Sequence, residues 1–343
     1  LLPVPLLSRL AISACVVASW GGPVRSLAAW TSMLDHGSFR GFPTYGEANT
    51  LLEGWLKGHP DLFRKETIGS SFEHRPIDAY VLTRRDLRAG DNGRPQVLIT
   101  SLMHAREPTS LTVVLFFVGH LLELYNGGNA EARYALENRE VWVVPFVNPD
   151  GYIANEHISG PPMIRKNRRP TCGRTTQSGV DINRNFAVEW KKNAFTPCNE
   201  EYGGRAPFSE PETIALKDVC DRNRFSAAVN FHSFGSMLTH PFNYAATVQK
   251  SRLPKPDDNT IYEEVRKAFH FKKFGPAIAT VGYTAIGESD DWFYSAKGII
   301  SMSPEVGPES GDFYPPAEEV AGIDDRNFRR IMYMVKKAGL EFH

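Results

Sequence analysis

Apolar positions along the chain fall into two kinds of segment that take turns. Short, nearly continuous apolar runs, "DAYVLTR", "PQVLITSLM", "VWVVPFV", "SAAVNFH" and "IISMS", predict strands buried on both faces, because a half-exposed strand would alternate apolar with polar residues. Longer segments, "SLTVVLFFVGHLLELY", "SEPETIALKDVCDRNRF", "NTIYEEVRKAFHFKKF" and "AGIDDRNFRRIMYMVKKAGLEF", predict helices. In the second of these, Ser209 is the expected N-cap and Glu212 completes a capping box. No Pro/Gly/Ser-rich linker, internal repeat or low-complexity stretch interrupts the alternation, which predicts an α/β fold on one sheet. In such sheets ligands bind beyond the carboxyl ends of the strands.

The start of the chain breaks the pattern. "LLPVPLLSRLAISACVVASWGGPVRSLAAW" is apolar, carries only Arg9 and Arg25, and has no acidic residue. It predicts a secretory signal over residues 1–29, with small residues from Ser26 to Ala29 for cleavage, ahead of one domain over 30–343. The competing assignments are a buried N-terminal helix or a membrane anchor. The apolar core from Leu10 to Trp20 is short for a bilayer, and no other segment is expected to be long and apolar enough. Export implies a secreted or lumenal location, extracellular or vacuolar, where disulfides form. Only Cys172, Cys198 and Cys220 remain after cleavage, which allows at most one internal bridge. Lysine plus arginine equal aspartate plus glutamate at 39 each, so no net field favours nucleic acid or an anionic membrane. The expected protein is a monomer without nucleic-acid partners and without membrane contact once the signal is removed.

Chemistry concentrates where the predicted strands end. "SLMHAREPTS" follows the run "PQVLIT" and presents His104, Arg106 and Glu107 together. The His-x-x-Glu spacing is weak evidence, since His120 and Glu123 repeat it inside an apolar helix, where a packed histidine is the better explanation. A zinc site with an open position takes three protein ligands, commonly two histidines and a carboxylate. His232, at the end of "AAVNFH", is a candidate third ligand, or a core histidine at a strand end. Glu305 in "SMSPEVGP" stands at another strand end and offers a base. "MIRKNRRP" offers Arg165, Arg168 and Arg169 as cations for a developing oxyanion, or a solvated basic face.

Taken in order, the motifs resemble the zinc metallocarboxypeptidases of the pancreatic carboxypeptidase A and B type. The resemblance runs from about Thr44 to the C-terminus through "HAREP", "NPDGY", "IRKNRR", "DINRNF", "YGGRAPFSEPET", "FHSFGS", "GYTAIGESDDW" and "SPEVG". It implies a single α/β/α domain with a mixed, mostly parallel sheet of about eight strands. It implies one zinc ion per chain, held by His104, Glu107 and His232, with Glu305 as general base toward the zinc-bound water and Arg165 polarising the scissile carbonyl. Asn183, Arg184 and Tyr283 would grip the C-terminal carboxylate of a peptide or protein substrate, and Arg106 would lie in an upstream subsite. The implied activity is zinc-dependent hydrolysis of the C-terminal peptide bond. Cys172 and Cys198 fall where the family often carries a disulfide, whereas Cys220 lies inside a helix as a small buried hydrophobe.

Departures from the family pattern sharpen the expectations. Pro108 replaces the usual tryptophan after the metal glutamate and should perturb the loop but not the ligands; Phe234 replaces a tyrosine near the upstream subsites. No inhibitory prodomain of the pancreatic kind is expected before Thr44. In "GESDDW" the resemblance puts Asp290 at the bottom of the pocket for the departing side chain, where aspartate accompanies the B type and a preference for lysine or arginine. Thr239, Asn243, Ile278, Ala285 and Ser303 would surround it, and Asn243 stands where the family often has glycine. Alternatively, Asp290 and Asp291 are first-turn residues of a helix capped by Ser289, favoured there by its dipole wherever they point. The alternatives in function are a broad or aromatic (A-type) specificity, a zinc amidase or deglutamylase on the same fold, and a catalytically dead peptide-binding module.

Overall fold

The computed structural model describes residues 31–86, 93–173, 175–251 and 255–340. The expected secretory segment, residues 1–29, lies outside the described residues. In chain order the first elements are α1 (Ser32–Asp35), α2 (Tyr45–Gly58), β1 (Phe63–Ser70), β2 (Pro76–Leu82), β3 (Gln96–Thr100), α3 (Pro108–Asn126), α4 (Ala130–Asn138), β4 (Glu140–Val144) and α5 (Pro149–Glu156). There follow α6 (Pro211–Arg222), β5 (Phe225–Asn230), β6 (His232–Ser233), β7 (Met237–Thr239), α7 (Pro256–Phe269), β8 (Lys273–Gly275), α8 (Ala277–Thr280), α9 (Ser289–Lys297), β9 (Ile300–Val306) and α10 (Ala317–Lys337). Nine strands form one mixed sheet in the order β1-β2-β4-β3-β5-β9-β7-β8, with β6 paired to β9.

The continuous apolar runs are explained by the two faces of this sheet. Successive residues of a strand point to opposite sides, so Tyr80, Leu82, Val97, Ile99, Val141 and Val143 enter one core. Their neighbours Ile77, Ala79, Val81, Leu98, Trp142 and Val144 enter the other. Leu52 of α2, α3, Ile261 and Val265 of α7, and Ile331 and Val335 of α10 close the first face. Leu216 and Val219 of α6 with Trp292 and Phe293 of α9 close the second, completing the expected α/β/α sandwich. Cys220 is buried in that second core as expected.

Three local expectations are corrected. The N-cap of α6 is Glu210, without a side-chain cap bond, not Ser209. Pro211 opens that helix and brings no N–H to be capped, while Glu212 turns inward to accept from Phe72 N at 2.9 Å and Asn167 Nδ2 at 3.2 Å. The α7 helix stops at Phe269, because His270 adopts a left-handed conformation (φ 55°), and the following "KFG" pairs as β8. Finally, α3 is long and apolar enough by composition to cross a membrane, but 78% of that stretch is buried inside the fold. It is the central core helix, packed against α10.

Candidate active site

The strand order reverses around β3. After β3 the chain returns as β4 on one side and, later, as β5 on the other, both parallel to it. Such a reversal opens a crevice at the carboxyl ends of the two strands. Thr100 pairs with Asn230 in register, and Thr100 Oγ1 donates to Asn230 Oδ1 at 2.8 Å, tying the two strand ends together. His104 and His232 leave from these ends. Glu305 joins them through the parallel pairing of β6 with β9, where His232 faces Glu305.

Glu107 is the residue before α3, and its carboxylate does not cap that helix. Pro108 occupies the first helical position, which tolerates proline because the missing N–H would have no partner there. Glu107 is therefore free to turn toward the histidines: its Oε1 lies 2.8 Å from His104 Nδ1 and its Oε2 lies 3.0 Å from His232 Nδ1. The two Nδ1 atoms are themselves 3.0 Å apart. Two lone pairs cannot face each other at that distance without a cation or a proton between them. Burial and then Arg165 push His104 toward its neutral form. Burial works against ionising Glu107, but the two imidazoles outweigh it and hold the carboxyl low. His232 is raised to about 9: burial opposes its protonation and Glu107 overcomes that opposition. The set thus demands positive charge at its centre, and all three residues offer donor atoms within 4.8 Å of one another. Two imidazoles and a carboxylate fit zinc, with one position left open.

Behind the metal set stands Asp181, whose Oδ1 lies 3.2 Å from His104 Nε2, off the line of a hydrogen bond. Its Oδ2 accepts from Arg165 Nε at 3.0 Å and Nη2 at 2.8 Å. One buried carboxylate therefore contacts both His104 and Arg165, the place that outer partners of metal histidines take. Arg165 Nη1 remains 3.1 Å from His104 Nδ1 at the centre of the site. The loops carrying His104 and Arg165 are fastened to α5. Asn155 donates to Ala105 O and Ile164 O, and Gly151 permits the approach: a Cβ there would lie 2.7 Å from the Ala105 side chain and 2.8 Å from Lys166 O. The basic run is not a solvated face. Lys166 donates to Pro197 O and Asn199 O, and Arg169 Nε meets Glu210 at 2.6 Å. Glu305 is half-buried, and burial followed by the Glu107 charge raises it to about 7.

The proposed carboxylate grip adjoins this set. Asn183 and Arg184 form a short 3-10 turn begun by Asp181, and Arg184 is buried with its Nε unpartnered. Tyr283 is 46% exposed at the mouth, near enough for Arg184 and Arg165 to act on its hydroxyl. Arg106 lies over the Phe313 ring at 4.6 Å, and Phe313 packs edge-on against Phe234, forming an apolar upstream wall with a cation on it. All ten sequence-expected residues are thus placed around one cleft, whereas His120 packs with Phe116 and Phe328 far from it.

The two aspartates of "SDDW" take different roles in the structure. Ser289 is the first residue of α9, not its cap; the cap position belongs to Glu288. Asp291 accepts from Asn243 N at 2.8 Å and Tyr244 N at 3.0 Å and so fixes a turn. Asp290 points elsewhere: it is fully buried, Asn230 Nδ2 donates to its Oδ1, and its Oδ2 has no partner. Sequence reasoning assigned no role to Asp181, nor to Glu200 and Glu201, which pair with Arg106 and Arg184. The position of Asp181 beside Asn183 in "DINRNF" was the available signal; nothing local marks the two glutamates. Cys172 and Cys198 form a disulfide in the same loop region.

Comparison with known proteins bears on the family and the fold. The profile of the family described as zinc carboxypeptidase matches residues 49–330. Carboxypeptidase B of Rattus norvegicus is 32% identical over 263 residues, covering 72% of this chain, which spans 60% of the length of that protein. Carboxypeptidase A1 of Sus scrofa is 30% identical over 284 residues, covering 81% of this chain and 65% of its own length. Among solved structures, thrombin activatable fibrinolysis inhibitor superposes with a TM-score of 0.77 at 24% identity, over 91% of this chain and 77% of its own, a likeness of fold.

Proposed function

The chain belongs to the zinc carboxypeptidase family, and we propose that it is a zinc-dependent exopeptidase that removes the C-terminal residue of peptides and proteins, with a preference for lysine or arginine. The observation that carries this reading is the convergence of a His-Glu-His metal set and a buried Asn-Arg pair on one cleft. A metal set alone suits many hydrolases; the buried arginine beside it suits a substrate with a free carboxylate. Zinc held by His104, Glu107 and His232 supplies Lewis-acid polarisation and makes water a competent nucleophile near neutral pH.

This chain's own residues do the rest. Glu305 takes the proton from the attacking water and delivers it to the leaving amine, a role suited to a carboxyl raised to about 7. Arg165, held by Asp181, supports the negative charge that develops on the carbonyl oxygen. Asn183, Arg184 and Tyr283 hold the terminal carboxylate and so place the last peptide bond between Arg165 and Glu305, beside the residues that would hold zinc. A binding module without catalysis would be expected to have lost a ligand, the arginine or the base, and all are present. Asp290, buried with a free oxygen, supports the basic preference. The disulfide supports an oxidising, secreted or lumenal compartment for a domain over 30–343. The reading is tested by kcat/KM for blocked dipeptides ending in arginine, lysine, phenylalanine and leucine, before and after replacing Asp290 by alanine. Basic substrates should lead, and the substitution should erase their lead. A phenylalanine preference untouched by the substitution contradicts the basic pocket and leaves the exopeptidase standing.

A further inference from the structure

Glu288 is buried beside the Asn183–Arg184 turn and does little of the structural work open to it. It sits at the cap position of α9, yet its side chain makes no capping bond. Its Oε1 receives one long bond, 3.3 Å from Asn183 Nδ2, and its Oε2 has no partner. Arg184, the nearest guanidinium acting on it, spends Nη2 on Glu201 and Nη1 on Asn183 O. The adjacent Gly287 holds a positive φ of 67° with the Arg184 carbonyl 2.3 Å from where a Cβ would stand, so the chain is pressed against the grip at this point.

Three further buried polar atoms near it close no hydrogen bond: Asp290 Oδ2, Asn243 Nδ2 and Ser303 Oγ. Asn243 uses its other groups fully, its N–H on Asp291, its Oδ1 on Ala277 N and its carbonyl on Ala285 N. Its remaining amide lies toward Glu288 and the Ser303 hydroxyl toward Asp290, each close enough to favour the charged carboxylate but too poorly placed for a well-formed hydrogen bond. Folded proteins leave few buried polar atoms unpaired. Of these atoms, the two carboxylate oxygens, Glu288 Oε2 and Asp290 Oδ2, are buried acceptors with no cation of their own chain bonded to them, and such acceptors suit a cationic donor. Glu288 lies toward Asn183 and the mouth, and Asp290 lies deeper, against Asn230 and Ser301.

We propose that Glu288 is a second specificity-determining carboxylate which, together with Asp290, selects C-terminal arginine over C-terminal lysine. A guanidinium carries five N–H donors in a planar fork and addresses two acceptors at once, whereas an ammonium is a compact point charge satisfied by one carboxylate and the polar groups around it. The inference rests on the reading of this cleft as an exopeptidase with a basic pocket.

The test uses zinc-loaded protein, wild type and Glu288→Gln, Glu288→Ala and Asp290→Asn variants, whose folding is checked by circular dichroism. Binding of free arginine, lysine and phenylalanine is measured by calorimetry, and kcat/KM is measured on blocked dipeptides with the same three C-terminal residues. Glu288→Gln should weaken arginine by about tenfold or more, lysine by clearly less, and phenylalanine not at all, in KM more than in kcat. Glu288→Ala should repeat that ranking. Equal losses for all three, or arginine unchanged, would overturn the role of Glu288 while a wild-type basic preference leaves the pocket reading intact. Wild-type protein that binds phenylalanine best, or turns over none of the dipeptides, removes the underlying reading and this inference with it.

Discussion

Glu201 Oε1 lies 2.8 Å from Nη2 of Arg184, so the guanidinium assigned to the substrate's terminal carboxylate already holds a carboxylate of its own chain. Glu200, the neighbouring residue, holds Arg106 through both oxygens at 3.1 and 3.2 Å. The loop that presents them is anchored by the Cys172–Cys198 disulfide and by Lys166, whose ammonium binds Pro197 O and Asn199 O. On the proposed function an incoming peptide's carboxylate competes with Glu201, which is partly exposed and can swing into water. Replacing Glu201 by glutamine should therefore lower KM by up to about fivefold, the scale of a partly exposed ion pair, with kcat little changed. Steady-state kinetics at low salt check this; an unchanged or higher KM contradicts it. Arg184→Ala should instead raise KM and lower kcat together, since the grip also positions the bond.

Removing His232 leaves two metal ligands, which hold zinc poorly. His232→Ala should lose its metal on dialysis and His120→Ala should keep it, measured as zinc per chain by elemental analysis. A full equivalent in the His232 variant would refute the ligand set. Wild-type protein treated with a chelator should lose turnover and regain it with added zinc.

Glu305→Gln preserves shape and removes the base. Turnover should fall by about 10²- to 10⁴-fold while zinc content and KM stay near the wild-type values. A variant with zinc bound and near-normal kcat would take Glu305 out of the mechanism.

Asp324 offers a stability test away from the cleft. It is buried in α10, with Thr112 Oγ1 at 2.9 Å, and burial raises its carboxyl well above the usual range. The folded protein therefore holds a proton that the unfolded chain releases near pH 4. Stability is full below that pH and is lost as pH rises toward the folded value. Asp324→Asn should match the wild type near pH 4 and exceed it in denaturant midpoint at pH 7, where an equal midpoint would contradict the assignment.

The metal set and its helpers were legible because they sit in short local patterns at strand ends, and a strand end at a chain reversal is where α/β sheets open. His120 shows the limit of spacing alone: its spacing to Glu123 is that of His104 to Glu107, and its apolar helical context, where Phe116 and Phe328 pack around its ring, separates them. Ser209 misled because a capping box is a local signal, while Glu212 is drawn away by Phe72, distant in sequence. The glutamates on the arginines were invisible for the same reason, since their partners lie far along the chain. Of the paired aspartates, only three-dimensional contacts distinguish Asp291, which fixes a turn, from Asp290, whose Oδ2 is buried without a hydrogen-bond partner.

In the proposed function a free terminal carboxylate, gripped by Asn183 and Arg184, decides which bond is cut. That dependence is tested most directly by the rate of arginine release from a blocked dipeptide with a free C-terminus, set against arginine-amide release from the same dipeptide with its C-terminus amidated, each with zinc-loaded protein. The account predicts cleavage of the acid and none of the amide, because Arg184 loses its charged partner. Equal rates on the two would contradict it and identify an endopeptidase or amidase.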